Sequence, residues 1–328
     1  MIEPTDDLEA AVRALAGGGL AVVPTETVHG LAADATDGAA VARLFEVKGR
    51  PRFNPLIAHV GGVEAADALV VMDERATRLA ARFWPGPLTL VLPLRDGAGI
   101  HPLVTAGLDT LAVRMPRGPM ARLSERLGRP LAAPSANVSG RVSPTRTAHI
   151  LADIAPRLDP GRDVVLSDMS GGEGMVGLES TVVSLAGRRA VLLRPGGVSR
   201  EAIEGAIGEP LVATEAGEGT ARPQAPGMLA SHYAPRGTVR LDARAVAPHE
   251  FLVAFGPDRA EGCPAGLYQL SAGGDVAEAA RHLFEALHAA NAAGAEAIAV
   301  EPIPREGLGE AIADRLVRAA APRPDGTS

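Results

Sequence analysis

The chain has 328 residues, and its 39 Asp and Glu outnumber its 32 Lys and Arg, which gives a formal net charge of -7. Because 46% of the residues are apolar, the chain can bury a core, which excludes global disorder, and its length predicts about two domains. The negative charge and the 3% aromatic content exclude a general nucleic-acid coat, which needs a basic face and stacking aromatics.

Segments with helical and strand periodicity alternate over residues 1–207. Asp6 and Asp7 precede a helical pattern that ends at glycines 17–19, and Asp37 precedes a second one. Further helices are predicted at 73–83, 117–128, 145–155 and 199–207. Strands are predicted at 20–23, 56–60, 88–92, 110–115, 131–133, 164–166, 181–185 and 190–193. This alternation predicts a mixed α/β sheet domain.

A smaller, Rossmann-like α/β domain is predicted at residues 237–322. Its strands are expected at 239–241, 251–255, 267–270 and 298–300, and its helices at 276–293 and 308–319. Residues 208–236 are rich in Pro and Gly and lack periodicity, which predicts an extended linker. Residues 323–328 are predicted to be a disordered tail.

The number of cysteines and the N-terminal residues indicate the cellular compartment of the protein. Cys263 is the only cysteine, so the chain cannot form an internal disulfide or a Cys-rich zinc site, which is typical of a reducing cytoplasm. The first nine residues are acidic where a signal peptide carries positive charge. No apolar run approaches the ~18 residues of a membrane span. We therefore expect a cytoplasmic protein that does not bind membranes.

Several common signatures are absent or occur in the wrong context. The G-x-G-x-x-G pattern at 172–177 leads into a predicted strand rather than a helix, which excludes a Rossmann dinucleotide fingerprint. The sequence contains no Walker loop, no G-x-S-x-G elbow and no H-E-x-x-H pair. Any nucleotide must therefore be held in another way.

Polar clusters follow several predicted strands. The segment 24–30, PTETVHG, follows a buried strand directly, where open α/β sheets hold their ligands. The next cluster, KGRPRFNPLIAH at 48–59, begins with Lys48, the only lysine of the chain, and adds Arg50 and Asn54. Because lysine offers a movable point charge and arginine a bidentate fork, this cluster is expected to bind phosphate. The alternative is a solvated turn.

Later clusters repeat this pattern. Arg114 ends an apolar predicted strand, so it must pair with an acid or bind an anion. Residues 134–144, PSANVSGRVSP, form a loop rich in hydroxyls and amides, or alternatively an ordinary Asx/Ser turn. The segments 179–181 and 194–197 lie at the ends of two later strands. Tyr233 lies in the linker. Its aromatic side chain either has a functional role or only attaches the linker to a domain surface.

In this order, PTET, KGRPxxNPL, PSANxSG, ESTVV, LRPG and HYAP resemble the YrdC-like L-threonylcarbamoyladenylate synthases. The resemblance covers residues 8–205 and continues through the linker and the second domain, which is the arrangement of the longer, two-domain form. It implies a mixed, twisted α+β sheet for the first domain. It also implies a nucleotidyltransferase that condenses L-threonine, bicarbonate or CO2, and ATP with magnesium into threonylcarbamoyl-AMP and pyrophosphate. The product would pass to a tRNA threonylcarbamoyl-transferase complex.

The resemblance implies roles for individual residues as well. Lys48 and Arg50 would be catalytic, stabilising charge at the reacting phosphates. The residues expected at L-threonine are Thr27, His59, Arg114 and Ser180. Those expected at ATP are Lys48, Arg50, Asn54, Thr110, Ser135, Asn137, Ser143, Arg194 and Tyr233. His232 and Tyr233 resemble a segment that folds back over the pocket, and no protein ligands are expected for magnesium, which stays on the phosphates and water.

Two residues depart from the usual first motif, PTETVYGLG. His29 replaces the tyrosine, which changes the expected surroundings of the purine of ATP. Ala32 replaces the last glycine, which indicates that this turn does not require a positive φ there.

Two other functions share this domain type. One is a non-catalytic RNA-binding or ribosome-assembly module, but 24 basic against 26 acidic residues over 1–236 disfavour stable nucleic-acid binding. The other is a carbamoyltransferase of the hydrogenase-maturation type, whose zinc-binding cysteines the lone Cys263 cannot provide.

Overall fold

The computed structural model of the protein describes residues 2–168, 174–213 and 232–322. The helices of its first domain are α1 (Leu8–Ala16), α2 (Gly38–Lys48), α3 (Val63–Asp67), α4 (Glu74–Phe83), α5 (Pro102–Thr105), α6 (Pro119–Leu127), α7 (Thr147–Asp153) and α8 (Arg200–Ile207). Its strands are β1 (Ala21–Val23), β2 (Gly30–Asp34), β3 (Ile57–His59), β4 (Leu88–Pro93), β5 (Thr110–Arg114), β6 (Leu131–Ala132), β7 (Val164–Val165), β8 (Thr181–Ser184), β9 (Val191–Arg194) and β10 (Val212–Ala213).

These strands form one mixed sheet in the order β10-β9-β8-β4-β5-β3-β6-β2-β1-β7. Strand β3 runs parallel to β5, which makes their last residues, His59 and Arg114, cross-strand neighbours. Strand β4 runs antiparallel to β5 and parallel to β8. The predicted mixed sheet is confirmed. Because β6 is antiparallel to β3, and β1 is antiparallel to β2, the polar loops after β1 and β6 start at the edge opposite to His59 and Arg114.

Both faces of the sheet are buried. Leu20 and Val22 pack into the large core on one face, whereas the intervening Ala21 and Val23 pack against α1 and α6 on the other. This alternation follows from the two-residue period of a strand. On this second face the apolar cluster of β3, β4, β5, β8 and β9 consists of strand residues alone.

The second domain contains a four-stranded parallel sheet in the order β11-β14-β12-β13. Its strands are β11 (Thr238–Arg240), β12 (Phe251–Phe255), β13 (Gly266–Ser271) and β14 (Ala297–Val300), and its helices are α9 (Val276–Ala292) and α10 (Leu308–Ala320). A parallel sheet with crossover helices confirms the predicted α/β character of this domain.

Two strands differ from the predictions. Strand β2 was not predicted, because its sequence, GLAAD, contains no β-branched or aromatic residue. Ala32 therefore lies within a strand and not in a turn. Strand β10 lies inside the predicted linker and pairs with β9, so the sheet extends past residue 207. The rest of that linker up to residue 231 and the predicted tail at 323–328 lie outside the described residues.

The two domains share a buried apolar cluster. Val28, Val142 and Leu178 of the first domain pack together with Phe284 of α9 and with Tyr233. Burial of such side chains from water is worth roughly 1.5–3 kcal/mol each. The interface is therefore part of the core and not a loose contact.

Polar contacts surround this shared cluster. Arg146 forms an ion pair with Glu285 (2.6 Å), and the rings of His149 and His288 stack with their centroids 3.7 Å apart. Further along, Arg200 of α8 pairs with Glu310 of α10. The second domain is thus joined to the first at several separate points.

Candidate active site

The end of α2 brings Lys48 and Arg50 together. Asp37 begins the helix by accepting a hydrogen bond from the backbone N–H of Ala39 (2.8 Å). The helix ends at Lys48 because Gly49 adopts a left-handed conformation with φ of 60°, which residues with a side chain rarely adopt. The chain reverses between the two cations, and both are buried, with 1% and 9% exposure.

Lys48 is surrounded by backbone acceptors. Its Nζ donates to the backbone oxygens of Ser135 (2.5 Å) and Asn137 (2.6 Å), and no carboxylate among the described residues forms an ion pair with it. Burial lowers the pKa of Lys48 well below its ordinary value, and the charge of Arg50 lowers it further. A buried cation without a counter-charge is costly, so this site favours an anion.

Arg50 and Arg194 extend the cationic cluster. Arg50 donates through Nε to the backbone oxygen of Asn54 (3.2 Å), and burial together with Arg194 lowers its pKa to about 10. Arg194 ends β9 and donates through Nη2 to the backbone oxygen of Ser180 (2.9 Å). Burial lowers the pKa of Arg194 as well. Mutual repulsion of these cations would be relieved by an anion with several charges, such as a polyphosphate.

The polar loop after β6 lies on the other side of Lys48. Asn137 donates through Nδ2 to the backbone oxygens of Val138 (2.8 Å) and Arg141 (2.9 Å), but its buried Oδ1 has no hydrogen-bond partner among the described residues. The buried Oδ1 of Asn54 is equally unpartnered. Leaving such an acceptor unpaired costs about 1–3 kcal/mol. Both amides are therefore suited to a ligand that carries hydrogen-bond donors.

Arg114 organises a second group of residues at the end of β5. Its Nη1 donates to Thr27 Oγ1 (3.0 Å), its Nε donates to the backbone oxygen of Gly86 (3.1 Å), and its Nη2 lies 2.8 Å from Glu26 Oε1. Burial and the charge of Arg114 lower the pKa of the adjacent His59 to about 3. The structure thus brings Thr27 and His59 to Arg114, and it pairs Arg114 with an acid.

Ser180 and Thr110 are two further candidates. Ser180 bonds to Thr89 through their hydroxyls (2.7 Å) and accepts from Arg194 Nη2 (3.2 Å), so it sits beside the cationic cluster. Thr110 begins β5 and Arg114 ends it, a separation of about 13 Å at ~3.3 Å per residue. Thr110 is therefore not part of the Arg114 group, and its contact with ATP stays a prediction.

Two buried glutamates of the site were not assigned from the sequence. Glu26 pairs with Arg114, and Glu179 accepts from Ser143 Oγ (2.6 Å) and from Arg315 Nε (2.8 Å). Both belong to motifs that the sequence singled out, PTET and ESTVV. The available signal was physical: glutamate is almost never fully buried unless it is paired.

His232 and Tyr233 lie between the two domains. Tyr233 is 1% exposed, and its ring packs against the rings of His232 and Phe284 at centroid distances of 4.1 and 5.5 Å. Burial lowers the pKa of His232 to about 3, and the charges of Arg50 and Lys48 act in the same direction. The end of the linker therefore lies next to the cationic cluster.

His29, which replaces the usual tyrosine, is held by a carboxylate. Its Nε2 lies 2.9 Å from Asp168 Oδ1, and this oxygen also accepts from the backbone N–H of Thr147 (2.8 Å). Its buried Nδ1 has no hydrogen-bond partner among the described residues. At this position the chain thus has a polar side chain with a fixed orientation.

The buried histidines predict a dependence of stability on pH. The pKa values of His59 and His232 are lowered to about 3, below the ordinary value of 6.5. Between these values the unfolded chain binds protons that the folded chain does not, so stability falls as the pH falls through this window. We expect the free energy of unfolding to decrease by up to about 1.4 kcal/mol per pH unit for each histidine.

Denaturant unfolding at a series of pH values between 7 and 4 measures this slope. His59→Gln is expected to reduce it, whereas His249→Gln, at an exposed position of the second domain, is expected to leave it unchanged. A slope that is the same in all three proteins would contradict the assignment.

Two structural properties bear on cofactors and membranes. Within residues 2–168, 174–213 and 232–322, no three His, Cys, Asp or Glu side chains are grouped so that they could hold a metal ion. No helix in these ranges combines the length and the apolar character that crossing a membrane requires.

The fold and the site together define a class: a two-domain α/β protein with a cluster of buried cations, Lys48, Arg50 and Arg194, in its first domain. A model of the Sua5/YciO/YrdC family, described as telomere recombination, matches residues 13–196. A model described as the threonylcarbamoyl-AMP synthase C-terminal domain matches residues 198–321. The chain therefore belongs to the Sua5/YrdC family of threonylcarbamoyl-AMP synthases, in its two-domain form.

Individual relatives agree with this assignment. The threonylcarbamoyl-AMP synthase of Pyrococcus abyssi is 40% identical over 323 residues, covering 93% of this chain and 92% of that protein. The Bacillus subtilis protein of the same name is 37% identical over 315 residues, covering 92% of this chain and 89% of its own length. The crystal structure of P. abyssi Sua5 complexed with L-threonine superposes with a TM-score of 0.84 at 38% identity, covering 95% of this chain and 94% of that one. The predicted family is confirmed.

Proposed function

We propose that this chain is an L-threonylcarbamoyladenylate synthase, which condenses L-threonine, bicarbonate or CO2, and ATP into threonylcarbamoyl-AMP and pyrophosphate. The observation that carries this function is the pair of buried cations Lys48 and Arg50, whose hydrogen bonds go to backbone oxygens. A polyphosphate supplies the counter-charge that these two side chains lack. The names of the relatives from P. abyssi and B. subtilis support the same activity.

The Arg114 group is assigned to L-threonine. A guanidinium has five N–H donors, and the contacts of Arg114 with Gly86, Thr27 and Glu26 use three of them, which leaves two for a carboxylate. His59 is neutral at pH 7, since its pKa is about 3, so it adds no charge beside the amino group. The bound L-threonine of the P. abyssi structure supports this substrate.

The chemical step needs positioning more than a protein nucleophile. The amino group of threonine adds to CO2 with loss of a proton, or condenses with bicarbonate with loss of water, and an oxygen of the resulting carbamate then attacks the α-phosphorus of ATP. The bond from the α-phosphorus to its bridging oxygen breaks, and pyrophosphate leaves. Lys48 and Arg50 stabilise the negative charge at the phosphates, and a dry, preorganised site makes this worth several kcal/mol.

Magnesium enters as part of the MgATP substrate. Glu26 and Glu179 are engaged by Arg114 and Arg315, which leaves magnesium to the phosphates and water. The product passes to a tRNA threonylcarbamoyl-transferase complex, and the enzyme acts in the cytoplasm, where its lone Cys263 stays reduced.

Burial of the cations disfavours the RNA-binding alternative. Lys48, Arg50 and Arg194 are each at most 9% exposed. Polymer phosphates are contacted by cations on a surface, whereas these side chains are buried. This geometry supports a single nucleotide as the ligand.

Pyrophosphate release with each substrate omitted in turn tests the proposed function. We expect release only when L-threonine, bicarbonate and ATP are all present, together with threonylcarbamoyl-AMP in the products. Release that is independent of threonine would overturn the assignment.

Tyr233 is expected to retain the nucleotide. Removing its ring in Tyr233→Ala opens the boundary between His232 and Phe284, and we expect the Kd for ATP to rise about tenfold, or about 1.4 kcal/mol. Titration calorimetry measures this change. Tyr268→Ala is the matched control, since Tyr268 lies on β13 and is only half-buried. An unchanged ATP affinity in Tyr233→Ala would show that this segment does not close the site.

A further inference from the structure

One arginine of the second domain reaches into the site of the first. Arg315 lies on α10 and is fully buried. Its Nε donates to Glu179 Oε2 (2.8 Å), and its Nη1 donates to Asp314 Oδ2 (2.7 Å). Its Cζ lies 5.3 Å from the centroid of the Tyr233 ring, within the range of a cation–π contact. Arg315 thus contacts the catalytic domain and the linker at once.

Glu179 connects Arg315 to the candidate nucleotide ligands. Its Oε1 accepts from Ser143 Oγ (2.6 Å), and the next residue, Ser180, binds Arg194. Burial raises the pKa of Glu179, but the charges of Arg315 and Arg194 more than offset this and lower it. Arg315 therefore keeps ionised the carboxylate that orients the Ser143 hydroxyl.

A purely structural role accounts poorly for this arrangement. The Nη2 of Arg315 is buried without a hydrogen-bond partner among the described residues, which costs about 1–3 kcal/mol. Buried ion pairs are often no better for stability than apolar side chains of the same size. The apolar cluster and the pairs Arg146–Glu285 and Arg200–Glu310 already join the domains. The contacts of Arg315 with Glu179 and Tyr233 instead lie beside the candidate nucleotide site.

We propose that Arg315 is a positioning residue of the nucleotide site, supplied by the second domain: it holds Glu179 and Tyr233 so that the Ser143 hydroxyl and the linker segment are fixed beside ATP. This inference rests on the proposed function. It assigns the second domain a direct part in ATP binding, so that the site is incomplete without α10.

Arg315→Met and Arg315→Lys in the full chain test this role. We expect Arg315→Met to raise the KM and Kd for ATP about tenfold or more, the loss expected when a charged hydrogen bond is removed, with the KM for threonine unchanged. Arg315→Lys keeps the charge but not the fork and is expected to be intermediate. Arg305→Met, which breaks an exposed pair with Asp242 in the same domain, is the matched control and should behave like the wild type.

The outcomes of these measurements distinguish a positioning role of Arg315 from a purely structural one. Equal losses for ATP and threonine together with a lowered melting temperature would overturn the proposal, and so would an unchanged ATP affinity in folded Arg315→Met. If Arg315→Met does not fold, Glu179→Gln combined with Arg315→Met removes the unpaired charge, and this protein is expected to fold and to bind ATP weakly. ATP affinity is measured without turnover, so a wild type that releases no pyrophosphate would refute the proposed function and not the role of Arg315.

Discussion

Replacing Lys48 by methionine is expected to reduce pyrophosphate release about 100-fold or more, the loss typical of removing one preorganised electrostatic contact. The melting temperature is expected to stay the same or to rise. Lys48 is buried with a lowered pKa, so the folded state bears the cost of its charge, and an apolar side chain of similar length removes that cost. A gain in stability with a loss of turnover is the signature of a residue kept for chemistry.

Two comparisons sharpen this experiment. Lys48→Arg conserves the charge but is expected to lose most activity too, since the planar guanidinium is bulkier than the ammonium that fits between the backbone oxygens of Ser135 and Asn137. Arg52→Met, at an exposed cation four positions along the same loop, is expected to keep full activity. Wild-type turnover in Lys48→Met would mean that Lys48, the only lysine of the chain, has no part in the reaction.

Replacing Arg114 by methionine is expected to lower the free energy of unfolding by about 3–5 kcal/mol, because Glu26 is left buried without its cation. It is also expected to remove the response to threonine. Thermal unfolding and threonine-dependent pyrophosphate release measure the two effects separately.

A second variant distinguishes the fold from the substrate site at Arg114. Glu26→Gln combined with Arg114→Met removes both charges, while the glutamine side chain can still accept the hydrogen bond that Glu26 Oε2 receives from the backbone N–H of Arg117 (3.2 Å). We expect stability to recover and threonine use to stay lost. Arg117→Met, at an exposed position three residues along, is the control. Recovery of threonine use in the double variant would mean that Arg114 serves only to neutralise Glu26.

Local signals predicted the caps of the first two helices and most strands. Asp37 begins α2, as its short acceptor side chain and the following apolar spacing indicate, and the buried runs of β4, β8 and β12 follow from β-branched residues. The turn between Lys48 and Arg50 likewise has a local cause, because Gly49 adopts the left-handed conformation that the turn requires. Such features depend on residues close together in the chain.

Features that depend on distant residues were not predicted. Arg315 contacts Glu179 across 136 positions, and nothing in the helical pattern of α10 separates it from an exposed arginine. Strand β2 forms because its small residues fit between β1 and β6, a tertiary reason that no local propensity expresses. The pairing of Arg114 with Glu26 was left open between an acid and a ligand, and only the folded sheet places the two together.

The placement of Arg315 on α10 also affects biosynthesis. At about 5–20 residues per second, a ribosome releases Lys48 and Arg50 well before the segment that carries Arg315. A nascent chain with a completed first domain therefore has a cationic pocket whose glutamate still lacks its arginine. If Arg315 has the proposed role, such a chain would bind ATP about tenfold more weakly than the complete protein, so tight binding would arise only late in translation.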